Sequence, residues 1–136
     1  MIKAINVKSR GRVEFIDITD IINNAIKGDV EEGVCHIYSP HTTAGLTINE
    51  GYDENVARDI IESLNKIVPE DWQYKHMEGN APAHIKTSLI GSSLLIPISN
   101  GKLMLGRWQR IFLCEFDGPR ERSIYLTIIP VKSEYH

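Results

Sequence analysis

The stretch WQRIFLCEF, residues 108–116, decides the fold class. Successive side chains of a strand point to opposite faces. Trp108, Arg110, Phe112, Cys114 and Phe116 therefore share one side, and Gln109, Ile111, Leu113 and Glu115 the other. The stretch SIYLTIIPV, residues 123–131, is apolar on both faces, with Ile124, Leu126 and Ile128 set against Tyr125, Thr127 and Ile129, and predicts a strand covered on both sides. In so short a chain, two-sided cover is expected from a sandwich together with a subunit interface.

Working outward, Asn100-Gly101 is a strong hairpin turn between Leu94–Ile98 and Lys102–Leu105. Asp117-Gly118-Pro119 is a further turn signal. His84–Ile90 reads as another strand, and 69–83 as a long aperiodic loop of the kind that often carries function. Upstream, Asp53 caps a helix whose Val56, Ala57, Ile60, Ile61 and Leu64 recur at spacings of three and four. A shorter helix, capped by Thr19 or Asp20 and stopped by Gly28, carries Ile21, Ile22, Ala25 and Ile26. Gly33–Ser39 reads as a buried strand, and HTTAGLTINEG, residues 41–51, as a turn continuing into another. Ile2–Val7 and Val13–Ile18 predict a hairpin closed at Arg10-Gly11. Strands, two helices, then strands again predict an α+β fold of mainly antiparallel, sandwich-like sheets, in a single domain over 1–136.

Composition narrows the function classes. The 15 basic and 18 acidic residues are interspersed and leave a net charge of −3, so the chain lacks the basic footprint of a general nucleic-acid binder. No segment has the ~20 consecutive apolar residues of a membrane span, and the opening MIKAINVKSR lacks a signal-peptide core. Cys35 and Cys114 stand singly among apolar neighbours and read as buried free thiols, which suits a reducing, cytoplasmic setting.

Candidate chemistry concentrates in a few segments. Of five histidines, His136 ends the chain and reads as solvated, and His36 reads as structural. His41, at a strand exit, and His76 and His84, in and after the long loop, could supply three ligands to a divalent ion if the loop folds over the exit. Their spacing matches no established metal motif, and surface or hydrogen-bonded structural histidines would account for them as well. Glu50 could move a proton beside such a site or be a solvated loop carboxylate. Glu115, inside an apolar strand, requires a partner, for which Arg122, Arg120 or Lys86 could serve. His41-Thr42-Thr43-Ala44-Gly45 could cradle an anion with its backbone N–H groups and hydroxyls. There is no P-loop and no Rossmann glycine pattern.

The segments HTTAGLTINE with Asp53, HMEGNAPAHIK at 76–86, Gly91-Ser92-Ser93, GKLMLGRWQ at 101–109 and EFDGPRER at 115–122 resemble the YjbQ family, also described as secondary thiamine-phosphate synthase. Their order and spacing are the family's; Arg107, where a small residue commonly precedes the Trp-Gln pair, departs from it. The resemblance implies an α+β homotrimer with its polar residues in a cleft near the subunit boundary. It also implies weak thiamine-phosphate synthase activity, joining a pyrimidine-methyl diphosphate to a thiazole phosphate with release of pyrophosphate. On that reading His41, His76 and His84 hold zinc or magnesium, and Glu50, His84 and Gln109 are catalytic. Thr42, Thr43, Asn80, Lys86 and Arg122 then bind the phosphorylated substrate. A non-catalytic binder of a metal or phosphorylated metabolite would use the same residues, and a structural interaction module would leave the cleft empty.

Overall fold

The computed structural model describes residues 1–132; His136 lies outside them. Along the chain the elements are β1 (Ile2–Lys8), β2 (Glu14–Asp17), α1 (Thr19–Ile26), β3 (Gly33–Tyr38), β4 (Ala44–Glu50), α2 (Glu54–Ile67) and α3 (Ala81–Ile90). Then follow β5 (Ser93–Ser99), β6 (Lys102–Leu103), β7 (Gln109–Glu115) and β8 (Glu121–Pro130). Two antiparallel sheets result, one ordered β1-β8-β3-β5-β6 and the other β2-β7-β4. The fold is α+β, as the strand and helix patterning predicts.

The two-faced pattern of residues 108–116 accounts for the layering. Ile111 and Leu113 join Ile37, Ile124, Leu126 and Ile22 and Ile26 of α1 in the core between the sheets. Phe112, Cys114 and Phe116 face the other way, onto Leu64 of α2 and Ala83 of α3. Strand β7 is thus covered by a sheet on one side and helices on the other. Strand β8 buries Ile124, Leu126 and Ile128 but leaves Tyr125 and Ile129 on an open outer face, 40% and 48% exposed.

The structure corrects three local expectations. The described residues form three helices, because residues 81–90 are helical where 84–90 read as a strand. The buried side of α3 carries Lys86 and Thr87 as well as Ala83, whereas Ile85 and Leu89 face outward. A helix whose apolar stripe is interrupted by polar residues loses the periodicity by which helices are recognised. Secondly, β1 and β2 do not pair. Strand β1 runs beside β8, from Ile2 opposite Thr127 to Lys8 opposite Glu121, while β2 pairs with β7. The Arg10-Gly11 segment crosses between sheets: Ser9 N–H donates to Arg120 O, and Arg10 N–H to the Glu14 carboxylate. Thirdly, neither Thr19 nor Asp20 caps α1. Its N-cap is Ile18, while Thr19 N–H donates to Asp17, and the Thr19 hydroxyl accepts from Ile111 N–H. That ties the helix start to β7.

Other turn and cap chemistry follows the sequence. Asn100 and Gly101, at φ 53° and 75°, close the β5–β6 hairpin, and Asp53 accepts from Asn55 N–H at the start of α2. Gly45 fixes the position of α3. A Cβ there would lie 2.7 Å from Gly91 O, which accepts from Leu46 N–H at 3.0 Å. The bare backbone of β4 thus lets the end of α3 rest directly on it.

Candidate functional site

The strand exit before β4, the start of α3 and the start of β8 converge on one cleft. Its first compartment, about 340 Å³, is lined by Thr42, Thr43, Asn80, Asp117, Arg120 and Arg122, with Pro40 and Glu78 at its margin. Its second compartment, about 390 Å³, is lined by Thr87, Ser88, Gly91 and Ser92. His41, Thr42 and His84 line both, and so form the wall between them.

Beneath the first compartment lies a buried ion pair. Arg122 Nε donates to Glu115 Oε1 at 2.8 Å, and Nη2 donates both to Glu115 Oε2 and, at 2.9 Å, to the Thr43 hydroxyl. Glu115 also accepts from the Ser9 hydroxyl at 2.7 Å and from Asp117 N–H at 3.0 Å. Burial pushes this carboxyl up, but the bonds from Arg122, Ser9 and Asp117 outweigh it and hold Glu115 below the usual carboxylate range. Among the described residues Arg122 Nη1 has no hydrogen-bond partner, which leaves its N–H groups to the cleft. Arg122 was one of three partners the sequence offered to Glu115. Ser9 is a participant that sequence reasoning missed, since nothing local links it to a residue 106 positions away.

Arg120 donates to the Asp117 carboxylate at 3.0 Å, as does Asn80 Nδ2 at 2.9 Å. Burial raises the Asp117 pKa, but these two donors win and keep it ionised. The compartment therefore mixes guanidinium and carboxylate groups and is not simply basic.

The three histidines occupy one neighbourhood in different states. His41 Nε2 lies 3.0 Å from Ser123 N and 3.1 Å from Ser123 O, so that nitrogen is committed to backbone. Burial, followed by the charge of Arg122, lowers the His41 pKa and keeps the ring neutral at pH 7. The His76 and His84 rings meet edge-on, centroids 5.0 Å apart, and His76 Nε2 is 3.8 Å from Glu78. Among the described residues no three His, Cys, Asp or Glu side chains are grouped so as to hold a metal ion.

Other residues singled out from sequence lie elsewhere. Glu50 accepts from the N–H groups of Tyr52 and Asp53 and shapes the turn into α2; Gln109 Oε1 accepts from Gly106 N–H at 2.7 Å. They are opposite each other in the β4–β7 ladder, whereas the cleft adjoins the Ala44–Glu115 end. Six residues of strand, about 20 Å, separate the two ends. Lys86 is absent from the lining of both compartments. It is 1% exposed, donates to Asn65 Oδ1, and lies 3.9 Å from Glu70 and 5.9 Å from the Phe116 ring centroid. Burial lowers its pKa. Both cysteines are buried free thiols; burial raises Cys35 to about 11 and Cys114 further, which suits packing and not nucleophilic attack.

Comparison with known proteins covers nearly the whole chain. Residues 3–131 match the family model described as UPF0047 protein YjbQ-like. A UPF0047 protein of Methanocaldococcus jannaschii is 51% identical over 124 residues, 90% of each chain. YugU of Bacillus subtilis, another UPF0047 protein, is 41% identical across 95% of this chain and 99% of its own. The crystal structure of a YjbQ/UPF0047 protein from Clostridium acetobutylicum superposes with a TM-score of 0.90 at 48% identity, covering 93% of this chain and 99% of that one. A hypothetical protein from Aeropyrum pernix gives 0.91 at 33% identity, covering 96% and 99%.

Proposed function

Since the chain belongs to the YjbQ-like UPF0047 family, we propose that its cleft binds a phosphorylated small molecule and has weak thiamine-phosphate synthase activity. The observation that carries this reading is the unpaired edge of Arg122, held over the cleft by a buried carboxylate beside Arg120 and Thr42. A guanidinium fixed in this way meets a phosphate without first losing side-chain freedom.

In the proposed reaction the bond between the pyrimidine methylene carbon and the diphosphate oxygen breaks, and its electron pair leaves with pyrophosphate. The thiazole nitrogen supplies the pair for the new C–N bond. Arg122 and Arg120 stabilise the charge growing on the departing oxygens. His84, on the wall between compartments, delivers a proton to the leaving group. No step runs through a metal. For the zinc or magnesium ion read from His41, His76 and His84, the described residues show no group of three donors.

The first test is calorimetric titration of the purified protein with inorganic pyrophosphate. Two or three charge-assisted hydrogen bonds set against Glu78 and Asp117 predict a Kd of roughly 0.1–1 mM. Arg120→Met should weaken it about tenfold, the equivalent of one such bond. No heat at about 10 mM ligand, well above that range, would remove the cleft from consideration. Product analysis by mass spectrometry, with both thiamine precursors supplied, then separates catalysis from binding. A non-catalytic binder is the second reading, favoured by the distance of Glu50 and Gln109 from the cleft. Saturable binding without product would establish it.

The proposal extends to assembly. The outer face of the larger sheet presents Tyr38, Leu95, Tyr125 and Ile129. An exposed face of this kind, on which His36 and Thr127 stand among the apolar residues, belongs against protein, and a homotrimer of this chain is the proposed cover. Sedimentation should give three chain masses at micromolar concentration. Tyr125→Lys, which leaves the inner face of β8 intact, should give monomers. A monomeric wild type refutes this assembly. The free thiols of Cys35 and Cys114 favour a cytoplasmic setting, and no helix among the described residues is long and apolar enough to cross a membrane.

A further inference from the structure

The arginine compartment is not positively charged as a whole. Arg120, Arg122, Glu78 and Asp117 line one volume of about 340 Å³, and Glu115 lies beneath Arg122. Two cationic side chains thus stand against three carboxylates. His41 adds no charge at pH 7, since burial and Arg122 hold its ring neutral. Arg12, the next cation acting on Asp117, is paired with Glu70 at 2.9 Å. A bare phosphate adds further negative charge to this setting, and like charges in a partly enclosed site repel. A ligand that carries its own positive charge beside the phosphate complements the compartment at both ends.

Asp117 is the carboxylate placed to receive that charge. Its Oδ2 accepts from Asn80 Nδ2 at 2.9 Å and from Arg120 Nη2 at 3.0 Å. Its Oδ1 takes no hydrogen bond among the described residues and, unlike Asn80 Oδ1, is not sealed from solvent. The side chain is 18% exposed and lines the compartment. The two donors on Oδ2 hold the carboxylate in place, so its other oxygen is a positioned anionic acceptor with nothing yet to accept. Arg122 Nη1 is its counterpart, a donor without an acceptor. One open donor and one open acceptor in a single concave volume orient a ligand with two unlike ends. Glu78, 77% exposed at the margin, adds negative charge without a fixed geometry.

We propose that the compartment selects phosphate esters that also bear a cationic nitrogen, with the phosphate on Arg120 and Arg122 and an N–H of the cation on Asp117 Oδ1. This rests on the reading of the arginines as a phosphate site and adds the class of ligand, a small zwitterionic phosphate. Asp117 then has two tasks. Through Oδ2 it holds Arg120, and through Oδ1 it distinguishes an ester with an N–H donor from one without, which would leave the carboxylate oxygen unpaired.

The test titrates wild type and Asp117→Asn at pH 7 with aminoethyl phosphate and ethyl phosphate, a pair that differs only in the ammonium group, and reads binding by calorimetry. Wild type should bind the aminoethyl ester about tenfold more tightly, the worth of one charge-assisted hydrogen bond. In Asp117→Asn the preference should fall to within about twofold, because the amide keeps the shape of the side chain and loses its charge. If Asp117 serves only to hold Arg120, the substitution weakens both esters alike and leaves their ratio at the wild-type value. An unchanged ratio therefore overturns the proposal. Equal binding of the two esters by wild type overturns it as well, a comparison that needs no variant to fold, and leaves the phosphate site standing. If wild type binds neither ester nor pyrophosphate at about 10 mM, the phosphate site itself fails and the selection falls with it.

Discussion

Replacing Arg122 with methionine is expected to destabilise the protein by about 3–5 kcal/mol at pH 7, the usual result of removing one partner from a buried pair. The exposures are 5% for the arginine side chain and 0% for the glutamate, and the guanidinium supplies two of the bonds to the carboxylate. Without it, Ser9 and Asp117 N–H are the remaining donors to a buried negative charge. Arg122→Met combined with Glu115→Leu should recover much of the loss, since apolar replacement of both partners removes the uncompensated charge. Urea denaturation of the two singles and the double, read as a mutant cycle, measures the coupling.

The same pair predicts a pH dependence. A carboxyl whose pKa is lower folded than unfolded contributes stability that is complete above its unfolded value, ~4.3 for glutamate, and is lost as pH falls through the folded value. Glu115 is held low, so its contribution should be intact at neutral pH and fade below about pH 4. In Arg122→Met the carboxyl keeps its burial but loses the guanidinium, so its pKa rises and acid relieves it. The gap between wild type and variant should therefore narrow from pH 7 to pH 3.5. A constant gap would mean that Arg122 acts through packing alone.

What the sequence discloses and what it conceals have the same physical origin. Strand β7 was legible as a strand from its period-two patterning, but cover on both faces was expected of β8, and within this chain it is β7 that has a core on either side. Helix α3 was concealed because its buried face includes Lys86 and Thr87, the first satisfied by Asn65 and Glu70. The signal that could have revealed it is Asn80-Ala81-Pro82. Asparagine stands at the N-cap and proline in the first turn, where the missing N–H does no harm. A helix there would also have turned Lys86 away from His84.

The site was legible to the extent that its residues came from one strand exit. Thr42 and Thr43 stand beside His41 because they follow it directly, and Glu115's need for a partner was evident from its apolar neighbours. Register did the rest. Antiparallel pairing sets Ala44 opposite Glu115, which carries Glu50 and Gln109 to the far end of the same ladder. There Tyr52 and Trp108 meet edge-on, 5.8 Å apart, with Arg107 over the Trp108 ring. Residues that look adjacent along a motif are thus divided between two places in the chain's fold.

His84→Ala is expected to lower kcat by about 10²–10⁴, the range for loss of a positioned proton donor, while KM for the diphosphate ester stays within about threefold. Elimination among three imidazoles leaves this one. His41 touches both compartments, but Ser123 holds its Nε2. His76 is exposed and absent from the lining of either compartment, meeting the cleft only through its edge contact with His84. His84 lines both compartments and makes no side-chain bond among the described residues, so its ring is free to serve the atom between them. Its place near the start of α3, with its N–H on Asn80 O, keeps the backbone in position when the ring is removed, so melting should change little. His76→Ala should then cost less than about tenfold, through looser positioning of the His84 ring. Equal losses in the two variants would point to a shared role such as joint ligation, and full turnover in His84→Ala would leave the cleft a binding site without chemistry.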